Sequence, residues 1–182
     1  MELPALLLSL ASLIALVNAS PMHSQHQKRG SNLLGQVYAY GGGLSGVPIF
    51  VKDSAAYIGN LSETGASGTY VSFTQDVDTH LITTPVDSSA ELTASYLAIN
   101  TTNGAQDSAV LTEASGTAGL TTTGFFLYGS QMAWLSSAGM LETSWYMLPT
   151  DMEKVWSLNW KAGGNPADVA GAKVVVLKAK QS

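Results

Sequence analysis

The sequence predicts an all-β fold: one domain, a β-sandwich or barrel of about ten strands. Short runs rich in Val, Ile, Tyr, Phe and Trp alternate with turn residues, among them the chain's 18 glycines. No window of a dozen residues repeats its apolar positions with the helical period, and β-branched residues outnumber strong helix formers. Cysteine is absent, so the core must hold the fold without disulfide staples. A β-trefoil is the alternative architecture, because the aromatic hairpins Val47–Gly59 and Gly124–Leu135 look loosely alike.

The elements follow in order. Gln36–Tyr40 and Val47–Lys52 read as strands around Gly41-Gly42-Gly43, and Ala55–Gly59 follows the turn Lys52-Asp53-Ser54. Tyr70–Thr74 and Thr79–Thr84 flank Gln75–Asp78 as a hairpin. Leu97–Asn100 and Ala109–Thr112 flank Asn103-Gly104, a strong hairpin-turn dipeptide. Gly124–Tyr128 and Met132–Leu135 flank Gly129-Ser130-Gln131. Trp145–Leu148, Val155–Trp160 and Lys173–Lys178 complete the set.

The front of the chain reads as an export address. Leu6–Val17 is an apolar run shorter than the roughly 20 residues a membrane span needs, and small residues lead to a cleavage position at Ala19. Residues 1–19 are therefore expected to be a signal peptide, although Glu2 stands where a basic residue is usual. Residues 20–29 read as a propeptide ending at the dibasic pair Lys28-Arg29, leaving residues 30–182 as the β domain. The C-terminal Val174–Ser182 is too short and too charged for a GPI signal.

Subtracting Met1–Arg29 removes the only arginine and leaves His80 as the only histidine. The formal net charge is −5 for the whole chain, and the subtraction makes it more acidic. Nucleic-acid binding needs a basic face, and none is expected here. Attachment to an anionic membrane surface is disfavoured for the same reason. The missing thiols exclude zinc ribbons, iron–sulfur clusters and cysteine nucleophiles. No cofactor is implied.

Four patterns carry chemistry on paper. Gly41–Gly46 contains G-x-G-x-x-G, but the dinucleotide fingerprint opens a helix, whereas Val47-Pro48-Ile49-Phe50-Val51 is a strand; the glycines read as a turn. Asp76, Asp78 and His80 alternate, so a continuous strand would present all three to a divalent cation. A polar hairpin turn is the simpler reading, and no metal is expected. A serine triad would have to use His80, and no G-x-S-x-G elbow occurs. Glycoside hydrolysis needs two carboxyl groups across a bond; Glu142, Asp151 and Glu153 lie near Trp145 and Tyr146 in sequence, without a spacing that selects a pair.

Tryptophan is confined to the C-terminal third, at positions 134, 145, 156 and 160. Trp156, Leu158 and Trp160 share one strand face, and apolar Leu158 between the indoles assigns that face to the core. Tyr146 takes the face opposite Trp145, so one of that pair is expected at the surface. Trp134, Trp145, Tyr146 and Glu142 together form the expected ligand platform. Two Asn-x-Ser/Thr sequons, at Asn60 and Asn100, are expected to carry N-glycans in an exported chain.

Three segments carry a resemblance: Gly46–Gly59, then Gly124–Gly129 leading into Leu141–Thr150, then Val155–Trp160 before a valine-rich strand. The pattern resembles a large group of small secreted β-rich proteins of filamentous ascomycete fungi, across nearly the whole mature chain. That resemblance implies a fungal, exported domain and brings no catalytic residues. The expected function is noncatalytic, at the cell surface or a host interface, as a wall-associated protein, effector or elicitor. Its partner would be cell-wall polysaccharide or a host protein. Two alternatives are a carbohydrate-binding or carbohydrate-processing protein, and an accessory protein of secondary metabolism with an apolar pocket.

Overall fold

A computed structural model of the chain describes residues 32–90, 92–93, 95–113 and 117–180. The expected signal and propeptide positions, Ala19, Lys28 and Arg29, lie outside the described residues. Within them the chain is all-β, with every pairing antiparallel. The strands are β1 (Asn32–Gly41), β2 (Leu44–Lys52), β3 (Ala55–Ile58), β4 (Thr69–Gln75), β5 (Leu81–Pro85), β6 (Ser95–Asn100), β7 (Gln106–Ser108) and β8 (Val110–Thr112). They continue with β9 (Leu120–Thr121), β10 (Phe125–Tyr128), β11 (Gln131–Leu135), β12 (Leu141–Glu142), β13 (Trp145–Pro149), β14 (Trp156–Lys161), β15 (Lys173–Val174) and β16 (Val176–Ala179). A four-residue helix, α1 (Leu61–Thr64), and a 3-10 turn at Pro166–Asp168 are the helical pieces.

Following the pairings shows that the sheet closes on itself. Phe50 of β2 faces Tyr57 of β3 on one edge and Tyr70 of β4 on the other. From β3 the ladder runs to β8 through Ala55 and Val110, to β6 through Leu97 and Leu111, and to β5 through Ile82 and Tyr96. β5 then returns to β4, with Phe73 opposite Thr83. The six strands β2, β3, β8, β6, β5 and β4 are thus a closed ring, which removes their edges. Of the architectures read from the sequence, the barrel describes this ring. A trefoil does not, because a trefoil draws barrel strands from three repeats along the chain and these six all come from Leu44–Thr112.

The described strands number 16 rather than about ten. The excess has a physical source. β7, β9, β12 and β15 are two- or three-residue pairings, too short for any periodicity to register. The valine-rich C-terminal strand is also two strands, because the chain changes partners at Val175. Val174 faces Tyr146 of β13, whereas Val176–Ala179 pairs with β1, and Lys178 also faces Gln131 of β11. β1 divides its length similarly, pairing with β4 near its start and with β2 and β16 beyond.

The core follows strand alternation. Val51, Ile58, Val71, Phe73, Leu81, Leu97 and Ile99 are buried within the ring, and Met132, Trp145, Met147, Leu158 and Trp160 extend the same cluster outside it. Thr83 is fully buried and donates its Oγ1 hydrogen to the Ser95 carbonyl, so that its hydroxyl is satisfied inside the core. The glycine run between β1 and β2 is a turn, as the sequence implies. A Cβ at Gly42 (φ +61°) would collide with Met147 and Lys173, so that position needs glycine for both space and backbone.

Candidate functional site

The groove that emerges was not visible as a motif. β3 lies between β2 and β14, with Ile58 facing Ile49 on one side and Trp156 on the other. The chain leaving β3 is consequently delivered between Pro48 and Trp156, and the Gly59 amide donates to the Pro48 carbonyl at 3.1 Å. Gly59 is packed so closely that an added Cβ would sit 3.2 Å from the Phe50 ring and 3.3 Å from the Lys154 carbonyl. Asn60 follows and caps α1.

Asn60 is the N-cap of α1, and its side chain also binds that of Glu63. Asn60 Oδ1 accepts from the Ser62 amide, the Ser62 hydroxyl and the Tyr70 hydroxyl, and Asn60 Nδ2 donates to Glu63 Oε1 at 2.7 Å. Gly65 closes the helix in the left-handed region at φ +65°. Asn60, Glu63 and Thr64 then line a hollow of about 290 Å³ together with Val47, Pro48, Lys154 and the half-buried Trp156. A second hollow of about 300 Å³ shares Glu63, Thr64 and Lys154 and continues to Met152 and Glu153. The two adjoin through Glu63, Thr64 and Lys154 as one groove between α1 and the β13–β14 turn, with Trp156 lining the first and Glu153 the second. Lys154 sits in the middle with φ +58°, a conformation uncommon for lysine.

The expected ligand platform is not assembled. Trp145 and Tyr146 are each 0% exposed, so neither offers a face to a ligand. The expectation that one of them would reach the surface fails because β13 is covered on both sides. Trp145 packs edge-on against Trp160 at 4.8 Å and donates its indole N–H to the Met132 carbonyl. Trp134 is half-buried against the edge of the same Trp160, and Glu142 stands opposite Trp134 across β11 and β12. The space an apolar ligand would need beside Trp145 is filled by Trp160 and Met132. Glu142 does not converge with Asp151 or Glu153 either. Glu142 precedes β13 and Asp151 and Glu153 follow it, placing roughly 13 Å or more of extended strand between them, beyond either glycosidase geometry. The assignment to the core holds for Leu158 and Trp160, whereas Trp156 is only partly buried against it.

Asp76, Asp78 and His80 come together, though not along a strand. β4 ends at Gln75 and β5 begins at Leu81, and the chain turns between them. Asp76 Oδ1 accepts from the amides of Asp78 and His80, and Asp76 Oδ2 lies 2.8 Å from His80 Nδ1. The ligand-type atoms of all three residues fall within 4.8 Å of one another. Both oxygens of Asp76 are nevertheless already engaged, and the His80 ring lies against Tyr96 at 4.7 Å. The turn therefore accounts for the cluster. Thr79 adopts φ +66° at its tip and accepts from Gly124 through its hydroxyl, tying the turn to the start of β10.

Electrostatics single out Tyr146. Burial, and secondly the charge of Asp107, push its phenol above the ordinary value, and its hydroxyl has no hydrogen-bond partner. Asp87 is held below the usual carboxylate range by the backbone and hydroxyl donors of Ser89, a turn contact at the surface.

The two sequons lie in different settings. Asn100 gives one amide hydrogen to Asp107 Oδ2 at 2.6 Å and accepts from the Thr102 amide. Asn60 stands in the groove wall. The groove could have been suspected only from Asn60-Leu61-Ser62-Glu63, which reads as a cap, because Lys154 and Trp156 reach it from nearly a hundred positions away. No protein-family profile, no curated protein and no solved structure matches this chain.

Proposed function

We propose that this is a noncatalytic secreted fungal protein acting at the cell surface or a host interface, as a wall-associated protein, effector or elicitor. One observation carries the reading. After processing, His80 is the chain's only histidine, and it is committed to architecture: its Nδ1 meets Asp76 and its ring packs on Tyr96. General acid–base chemistry near neutral pH rests most often on histidine, and His80 lines none of the described hollows. A closed barrel without cysteine also suits an extracellular setting, since its stability does not depend on redox state.

The test is to express the full chain with a C-terminal tag in a filamentous fungus and fractionate cells, wall and medium. Mass spectrometry of the recovered protein is expected to show a new N-terminus at Gly30. A start at Ser20 would remove the propeptide alone. Retention inside the cell with Met1 intact would overturn the export reading.

The second reading, carbohydrate binding, is favoured by Trp156, which lines a groove of suitable size for a sugar with Asn60, Glu63 and Lys154 beside its apolar wall. Trp156→Ala should abolish retention on glucan, chitin or mannan if it is correct. Absence of any retention by the native protein would remove it.

A further inference from the structure

We propose that the groove beside Trp156 is the seat of an N-linked glycan carried by this chain's own Asn60. The inference rests on the export reading, because the modification takes place in a secretory lumen. The groove and the sequon Asn60-Leu61-Ser62 are independent features that meet at one residue, Asn60, which lines the hollow.

Asn60 Nδ2 attacks C1 of the reducing-end sugar of an oligosaccharide linked to a polyprenyl pyrophosphate. The bond from C1 to the pyrophosphate oxygen breaks, the N–C1 bond forms, one amide proton is released, and the polyprenyl pyrophosphate leaves.

An amide nitrogen carries two hydrogens. Asn60 uses one, on Glu63 Oε1 at 2.7 Å. Exchanging the other for a sugar leaves the whole cap in place, including the three donors onto Oδ1. Those four contacts hold the side chain in one orientation, in the wall of a hollow whose other side is Val47, Pro48 and Trp156. The apolar C–H face of a pyranose packs on an indole, and its hydroxyls find Glu63 and Lys154 along the same groove. The first sugar would therefore cover the half-exposed Trp156.

Asn100 provides the control. Its amide is held the same way, by Asp107, yet none of the described hollows is lined by it. Two glycans on one protein would then differ in exposure.

The experiment is timed digestion of the native secreted protein with a peptide N-glycosidase, with release at each site followed by mass spectrometry. The Asn60 glycan should be released at least tenfold more slowly than the Asn100 glycan. Trp156→Ala should bring the two rates within about twofold. Lys154→Gly, which suits φ +58° and opens the same groove without touching the core, should accelerate Asn60 release if Trp156→Ala does not fold. Equal release rates in the native protein would overturn the proposal. So would Asn60 left bare while Asn100 is occupied, or both bare in a protein recovered from the medium; each of these leaves export standing. Rapid release at Asn60 combined with Trp156-dependent binding of free N-acetylglucosamine oligomers would assign the groove to an external sugar instead. Intracellular retention with Met1 intact is the separate failure, that of the export reading.

Discussion

Trp145 and Trp160 face each other across β13 and β14, their rings 4.8 Å apart and inclined at 72°. Both are almost wholly buried, yet their indole N–H groups differ. That of Trp145 donates to the Met132 carbonyl, whereas that of Trp160 has no partner. Truncating either to alanine should cost about 3–5 kcal/mol, a large share of the roughly 5–15 kcal/mol typical of a domain. Phenylalanine should separate them. Trp145→Phe strips Met132 of its donor and should cost about 1 kcal/mol more than Trp160→Phe, read as a difference in urea midpoints at unchanged slope.

Tyr146 should respond oppositely to its neighbour Trp145. Its hydroxyl is buried without a partner, so Tyr146→Phe removes an unsatisfied group and should stabilise by about 1 kcal/mol. The pH dependence has a defined sign. The folded phenol titrates above its ordinary value of 10.0, so near pH 10 the unfolded state ionises while the folded state stays neutral. This contribution is full below pH 10 and declines as pH rises toward the raised folded value. Alkaline melting curves of Tyr146→Phe should lack that component of the decline.

The Asp76 turn is expected to be a stability device. Asp76→Ala removes the acceptor for two amides and the His80 ring and should cost about 1–3 kcal/mol. The Asp78 carboxylate accepts none of these bonds, so Asp78→Ala should cost less. Because both Asp76 oxygens are engaged, a chelator should leave the melting temperature of the purified protein unchanged. A drop of several degrees restored by a divalent cation would defeat this account.

Thr79 tests the link between that turn and β10. Its hydroxyl accepts from the Gly124 amide at 2.7 Å, and its carbonyl accepts from the Phe125 amide. Thr79→Val keeps shape and φ but loses the acceptor, which should cost about 1–2 kcal/mol. Hydrogen exchange at the Gly124 amide should accelerate before that at Phe73 or Leu97 in the barrel.

Much of the fold was legible because it is local. The hairpins around Gly41–Gly43, Asp76–Asp78 and Gly129–Ser130 appear where turn residues interrupt apolar runs, since a tight turn constrains neighbours and needs no distant partner. Barrel closure was not legible. It depends on Phe50 lying between Tyr57 and Tyr70, a relation no window of sequence contains. The aromatic platform was misread for a related reason. Alternation correctly placed Trp145 and Tyr146 on opposite faces, but it carries no information on whether a second layer covers each face, and here both are covered.

The sequence by itself determined an all-β chain without cysteine, one histidine beyond the dibasic site, the hairpin positions and the two sequons, because composition and short-range spacing suffice for these. Only the tertiary structure decided that the sheet closes, that Trp145 and Tyr146 are interior, and that Asn60 and Trp156 line one groove. Those outcomes depend on which strands become neighbours, and that is settled by burial of apolar surface among residues far apart along the chain.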